Sequence, residues 1–321
     1  MKMLRCCMFV ALALTATAAV AQSYPARPVK LVIPSAPGGT SDFVGRTIAG
    51  KLGQYLGQPI VIENRPGAAE TIGTEAVAKA APDGYTLLLV TPSFTANPAL
   101  YPKLPYDAVK DFAPVAQVLS YPHVLVASAG LPATSVQEVI ALAKANPGRI
   151  QYASGGSGGS NHLAAEMFKS LTSVQLTHVP YKGNGPAITD LLADRVQLLF
   201  TAMTPVEAQV KAGKLKALAV TGPKRLASAP DVPTMLEAGV PDFDLVSWYG
   251  VVVPWGTPKS IIDRLNADLR KTMQSPEVRD KLAASLGADT TVNSPEAFGA
   301  MLRKEFVLWA KLVREMNIKV E

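Results

Sequence analysis

Two junctions constrain this chain more than anything else in it. At the first, the apolar run Val29–Ile33 passes through Pro37-Gly38-Gly39-Thr40-Ser41-Asp42 into the amphipathic stretch Phe43–Leu56. At the second, Ile150–Ala153 passes through Ser154-Gly155-Gly156-Ser157-Gly158-Gly159 into Asn161–Leu171. A strand, a glycine turn and a helix in that order make an anion site. Glycine lets the backbone approach a ligand closely, and the N–H groups that open a helix lack an internal partner. One such loop reads equally well as a tight turn. Two in one chain point to two lobes gripping one anionic group between them.

The N-terminus reads as a leader and not as part of the fold. Lys2 and Arg5 precede the apolar run Met8–Val20, and Ala19-Val20-Ala21 offers small residues for cleavage after Ala21. The run is too short to span a bilayer, and no later stretch is apolar for long enough. Both cysteines, Cys6 and Cys7, lie ahead of the apolar run, which rejects lipidation and leaves the mature chain without thiol or disulfide. The expected product is an exported periplasmic protein held together by its cores alone. Without Lys2 and Arg5 the formal charge falls from +6 to +4, twenty-nine basic against twenty-five acidic side chains. That scattered excess suits mild attraction of small anions and argues against nucleic acid.

Short β-type runs alternate with helical patterns almost throughout, which predicts an α/β fold with largely parallel sheets. The expected strands are Val29–Ile33, Ile60–Ile62, Tyr85–Val90, His123–Ala127, Ile150–Ala153, Gln175–Val179, Val196–Phe200, Leu215–Val220 and Leu245–Val253. Ser135-Val136-Gln137-Glu138 reads as a capping box, and Thr204-Pro205, Thr257-Pro258, Ser275-Pro276 and Ser294-Pro295 read as a cap before a first-turn proline. From Pro258 the chain reads as successive helices packing back on a finished sheet. Crossings between lobes are expected near Ser120–His123 and Val246–Tyr249.

Neither metal nor cofactor chemistry has a pattern here. The only histidines are His123, His162 and His178, none at i,i+4 spacing, and the mature chain lacks cysteine. Neither glycine loop ends in Gly-Lys-Ser/Thr, which excludes a Walker-type phosphate loop. A serine hydrolase reading is open on pattern, because Gly155-Gly156-Ser157-Gly158-Gly159 fits Gly-x-Ser-x-Gly and His162 follows it. It lacks an identifiable acid to orient the histidine, so no catalytic residue is assigned and the chain is read as a non-enzyme. His162 has two readings, a satisfied core histidine or a donor to a carboxylate. Asp42 would repel a carboxylate, so it is read as ordering the first loop through the backbone donors.

Six ordered motifs carry a resemblance along the mature length. They are Pro37 to Asp42; Glu63-Asn64-Arg65-Pro66-Gly67-Ala68; Ala81-Pro82-Asp83-Gly84-Tyr85-Thr86-Leu87-Leu88; Ser154-Gly155 to His162-Leu163-Ala164-Ala165-Glu166; His178-Val179-Pro180-Tyr181-Lys182-Gly183; and Pro254-Trp255-Gly256-Thr257-Pro258. In these the chain resembles the Bug-type extracytoplasmic solute receptors, the substrate-binding components of tripartite tricarboxylate transporters. The resemblance implies a two-lobed type II periplasmic-binding fold, a Venus flytrap, with a small organic carboxylate in the interlobe cleft. Residues 1–21 would be the signal peptide, 22–122 plus 248–321 the first lobe, and 123–247 the second. The partners implied are the carboxylate and membrane permease subunits, the protein being a monomer without cofactor. A periplasmic sensor for a two-component system is the alternative on the same fold.

Carried over by motif, the first lobe contributes Gly38, Gly39, Ser41, Asp42, Thr91 and Ser93. The second contributes Ser154, Gly156, His162, Tyr181 and Lys182, the last also read as a solvated side chain or a long-range attractor of anions. Three departures bear on the ligand. Ala69 and Glu70 stand where the family usually has glycines, Gly159 stands where it usually has Ser or Thr, and Thr201 stands where an acid or amide is common. Glu70 reads either as a helix-end residue or as a carboxylate facing the ligand's far end, which would favour a monocarboxylate or zwitterion over citrate. Trp248, at the expected crossing, reads first as packing under the hinge and second as stacking on a ligand ring.

Overall fold

The computed structural model describes residues 24–315 except 102, 182 and 244. The leader and Lys182 therefore lie outside the described residues. In chain order the elements begin with β1 (Val29–Ile33), α1 (Thr40–Leu56), β2 (Ile60–Asn64), α2 (Thr71–Ala78), β3 (Thr86–Val90), α3 (Pro92–Leu100) and β4 (Phe112–Pro122). They continue as β5 (Val124–Ser128), α4 (Val136–Ala145), β6 (Gln151–Ser154), α5 (Ser160–Thr172), β7 (Thr177–Pro180), α6 (Asn184–Leu192) and β8 (Leu198–Thr201). Last come α7 (Glu207–Lys211), β9 (Leu215–Val220), β10 (Val246–Pro254), α8 (Lys259–Gln274), α9 (Pro276–Leu286) and α10 (Pro295–Glu315).

The strands form two five-stranded sheets, ordered β2-β1-β3-β10-β4 and β7-β6-β8-β5-β9. In each, the first strand of a parallel triplet lies between the second and third, and an antiparallel pair completes the sheet. The sheets are thus mixed, where the alternation of elements alone predicts largely parallel ones. The physical reason is the crossing: β4 runs almost straight into β5 through His123, so the chain enters the second sheet without a helical return and pairs antiparallel. The chain returns to the first sheet between β9 and β10.

Strand β4 is absent from the sequence expectation because Pro114 interrupts its apolar run. It is an edge strand, where a missing N–H need not break the ladder, and its pairing with β10 shifts register between Val251 and Val252, beside Pro114. Helix α3 is absent from the sequence expectation. Thr91 caps it by accepting the Ser93 N–H at 3.3 Å, and Pro92 opens its first turn. Four expected caps differ. Thr204-Pro205 precedes a turn, with α7 beginning at Glu207; the Thr257 and Ser275 hydroxyls donate to the Pro254 and Thr272 carbonyls instead of accepting a helix N–H; and Glu138 reaches back to the Thr134 N–H at 2.6 Å rather than to Ser135.

Both faces of the first sheet are buried, and the period-two alternation of a strand shows it. Leu31 and Ile33 of β1 pack with Val44, Ile48 and Leu52 of α1, while Val32 joins Val90, Phe94 and Phe298 on the other face. Val44, Ile48 and Leu52 recur every four residues, one stripe of α1, and each large aliphatic side chain so buried contributes about 1.5–3 kcal/mol. Trp309 of α10 packs in one cluster with Leu100 of α3 and Leu163 and Phe168 of α5, so the tail helix touches both sheets' cores. Both β1–α1 and β6–α5 junctions leave the C-terminal end of a central strand, where open α/β sheets present their ligand crevice.

Candidate functional site

The first glycine loop is built around one carboxylate. Asp42, buried in the first turn of α1, accepts the Gly38 N–H at 2.9 Å, the Arg46 Nε at 2.9 Å and the Asn64 Nδ2 at 3.0 Å. The Arg46 guanidinium holds the Asp42 carboxyl below the usual range, with the Gly38 and Asn64 donors adding to it against the cost of burial. Asn64 also donates to the Ser35 carbonyl at 3.1 Å, which ties the Asn64-Arg65-Pro66-Gly67 motif to the loop. Asp42 orders the loop, as its sequence position suggests. Gly38 is thereby corrected as a ligand donor, because its N–H is spent on Asp42. The N–H groups of Gly39, Thr40 and Ser41 have no partner among the described residues.

The second loop repeats the device with different chemistry. Gly158 donates its N–H to Nδ1 of His162 at 3.1 Å, and both Gly38 and Gly158 have positive φ, 82° and 80°. His162 is 2% exposed, and burial pushes its pKa down to about 4. It is neutral, with Nδ1 accepting and Nε2 carrying the proton 4.0 Å from Glu166. Its ring stacks on His178 at 4.2 Å, and His178 stacks on Tyr152 at 4.8 Å. The core reading of His162 is the one this geometry supports. The N–H groups of Ser160 and Asn161 are unpartnered among the described residues.

A continuous chain of side chains joins the two helix starts across the crossing strands. Ser41 Oγ lies 3.2 Å from Tyr249 Oη, and Tyr249 stacks on Tyr121 at 6.2 Å. Tyr121 meets His123 edge-on at 5.5 Å, and His123 Nε2 lies 3.1 Å from Ser160 Oγ. Tyr121, His123 and Tyr249 are buried, and burial pushes His123 down to about 4 and both tyrosines up. Beside them Thr201, 0% exposed, keeps an unpartnered Oγ1, and His123 Nδ1 is likewise unpartnered among the described residues. Sequence reasoning missed Tyr121, His123 and Tyr249. The only signal was their place at the expected crossings.

The remaining candidates divide by what already occupies them. Ser93 Oγ donates to the Gly158 carbonyl at 3.1 Å, a buried contact from the first sheet's helix α3 to the second glycine loop. Thr91 Oγ1 donates to Glu70 at 3.1 Å. Ser154, fully buried, lies 2.6 Å from His178 Nε2 and also engages the Gly156 N–H at 3.2 Å, so neither Ser154 nor the Gly156 N–H is free for a ligand. Tyr181 donates its hydroxyl to Asp190 at 2.7 Å; burial, then Asp190, pushes it up to about 12. Trp248 is 2% exposed, packs edge-on against Phe298 and donates Nε1 to Glu305 at 2.7 Å, which leaves no face for a ligand ring. Among the described residues no group of three or more His, Cys, Asp or Glu is arranged for a metal, and no helix is long and apolar enough to cross a membrane.

Residues 44–318 match the family described as Tripartite tricarboxylate transporter family receptor. The chain belongs to this family. Among curated relatives, protein BugT of Bordetella pertussis is 38% identical over 315 residues, covering 98% of this chain and 96% of BugT. Among solved structures, R. palustris Rpa4515 with adipate has a TM-score of 0.83 at 36% identity, covering 93% of this chain and 100% of that one. MatC from Rhodopseudomonas palustris with bound malate has a TM-score of 0.81 at 34% identity, covering 90% and 100%. The receptor shares their two-lobed α/β fold, and it is a solute-binding protein of the Bug type.

Proposed function

We propose that this receptor captures a small organic carboxylate between its two glycine loops and delivers it to membrane permease subunits. One observation carries the reading: the unpartnered N–H groups at the starts of α1 and α5 are joined by the chain Ser41–Tyr249–Tyr121–His123–Ser160. Two helix N-termini over one buried floor bind an anion through backbone donors and the positive ends of their dipoles. Thr201 Oγ1 and His123 Nδ1, buried and unpartnered, add polar atoms at that floor. Adipate and malate on the two R. palustris relatives support a carboxylate ligand.

In this reading residues 1–21 are removed after Ala21 on export to the periplasm. The mature chain is a monomer of two lobes, 22–122 with 248–321 and 123–247, closing on the ligand. It does no chemistry: of the hydroxyls paired with an imidazole, Ser154 is buried and bonded three ways, and no carboxylate bonds His178 behind it or His123 behind Ser160 among the described residues. The test is a thermal-shift screen over mono-, di- and tricarboxylates, amines and sugars. A ligand that binds only the native state adds about 2.7 kcal/mol at a hundred times its Kd. At least one carboxylate is expected to raise Tm clearly. Shifts with amines or sugars and none with carboxylates would overturn the reading.

A further inference from the structure

Glu70 is the residue beside the cleft that anion capture by backbone donors leaves without a role. It ends a run of three residues in the left-handed region, Ala68 at φ 46°, Ala69 at φ 50° and Glu70 at φ 73°. Side chains are disfavoured there, so the run persists only because its surroundings hold it. Asn97 Nδ2 donates to the Ala69 carbonyl at 2.7 Å, the Thr71 N–H to the Ala68 carbonyl at 3.0 Å, and Thr74 Oγ1 to the Glu70 carbonyl at 2.8 Å. Glu70 is thus fixed in place. It sits at the N-cap position of α2, yet its side chain accepts no N–H of that helix. The helix-end role has no bond to support it.

The carboxylate has a different outlook. Its hydrogen-bond partner is Thr91 Oγ1, and among the described residues no Lys or Arg nitrogen comes within 4.0 Å of it. Thr91 caps α3, whose Ser93 reaches the second glycine loop at Gly158. Glu70 is near enough to Tyr249, the neighbour of Ser41, to help raise that hydroxyl's pKa. Asn97 supplies a second acceptor. Its Nδ2 is committed to Ala69, and its Oδ1, in a side chain 1% exposed, is unpartnered and lies 3.5 Å from where a Cβ on Gly158 would stand. One side of the cleft therefore presents acceptors, while the helix starts present donors.

We propose that Glu70 determines specificity, making with Asn97 Oδ1 an acceptor end that takes a hydrogen-bond-donating group of the ligand. The receptor then selects a small monocarboxylate whose far end carries an ammonium, amide or hydroxyl over a dicarboxylate of equal length. This rests on the carboxylate-receptor reading above. A second carboxylate would meet an ionised Glu70 with no cation between them, a like-charge contact in a partly desolvated site. A far-end donor instead meets two acceptors that are otherwise unpaired or singly paired.

Isothermal titration at pH 8 and fixed salt tests it with matched four- and six-carbon acids: succinate, 4-aminobutyrate, 4-hydroxybutyrate and succinamate, then adipate, 6-aminohexanoate, 6-hydroxyhexanoate and adipamate. Wild type is expected to bind at least one donor-bearing acid ten-fold or more tighter than its dicarboxylate. Glu70→Gln should narrow that gap at least five-fold. Glu70→Gly should do the same while relieving the left-handed turn, which keeps the test decisive if Gln disturbs the fold. A wild-type preference for the dicarboxylate, or an order of preference unchanged in both variants, overturns the proposal alone. Failure of wild type to bind any of the eight acids overturns this proposal, and overturns the receptor reading only if the thermal-shift screen also gives shifts with amines or sugars and none with carboxylates.

Discussion

Nδ1 of His162 accepts the backbone N–H of Gly158 at 3.1 Å. Four residues separate them, and the same spacing joins Asp42 to Gly38 at 2.9 Å in the other sheet. In both, the third residue of a helix reaches back to the glycine before the cap. The device turns a loop away from slack and aims the next N–H groups outward, at the price of one donor per loop. An acid and a neutral imidazole do the same work because each offers one lone pair at the right place.

Asp42→Ala removes that anchor and leaves the Gly38 N–H, Arg46 and Asn64 without their shared acceptor. The expected cost is about 1–3 kcal/mol of stability, with carboxylate affinity reduced at least ten-fold. Asp42→Asn, which keeps one acceptor oxygen, should recover part of both. Chemical denaturation and titration on the three proteins check this; unchanged affinity in Asp42→Ala would remove loop order from the binding argument.

Gly39 separates backbone donation from loop shape. Its φ is −82°, and an added Cβ meets nothing nearer than the Ala36 carbonyl at 3.6 Å, so Gly39→Ala should fold and bind as wild type. Gly39→Pro removes an N–H that has no partner within the described protein, and should weaken carboxylate binding at least ten-fold in a folded chain. Equal affinity in the two variants would exclude that donor from the site.

Stability should depend on pH in two opposed ways. His123, His162 and His178 are pushed down to about 4, chiefly by burial, from the ordinary histidine value of 6.5. Between those values the unfolded chain binds protons that the native chain refuses, so stability falls as pH drops from about 6.5 towards 4. Glu70 is raised, chiefly by burial, from 4.5 to about 7, so its native form keeps a proton that the unfolded chain releases. Its contribution falls as pH climbs through that window. Denaturant unfolding of ligand-free protein should show a flatter acid limb in His162→Asn. Glu70→Gln should gain about 2 kcal/mol over wild type at pH 8 and little at pH 4.5. An equal gain at both pH values would exclude the charge of Glu70 as the cause.

Ser93 donates to Gly158 across the two halves of the molecule, a contact available only when they are together. Ligand should favour that closed arrangement, and small-angle scattering should show a smaller radius of gyration with bound carboxylate. Ser93→Ala should lower affinity several-fold and enlarge the ligand-free radius. A radius indifferent to both ligand and substitution would count against hinge closure.

The sequence by itself determined the local events: both strand–glycine–helix junctions, the alternation of strands and helices, the Ser294 cap ahead of proline, and the tail of helices. These are written in neighbouring residues, since caps, turns and periodicities act over a few positions. Only the tertiary structure decided which donors remain free. Gly38 and Gly156 look like binding glycines in the sequence, yet their N–H groups are consumed by Asp42 and Ser154. The cleft floor was illegible for a different reason. Ser41 meets Tyr249 across 208 positions and His123 meets Ser160 across 37, contacts set by β4 and β10 pairing beneath the loops. Pro114 hid that pairing, because whether a proline breaks a strand depends on whether the strand lies at an edge, and the edge is a property of the assembled sheet.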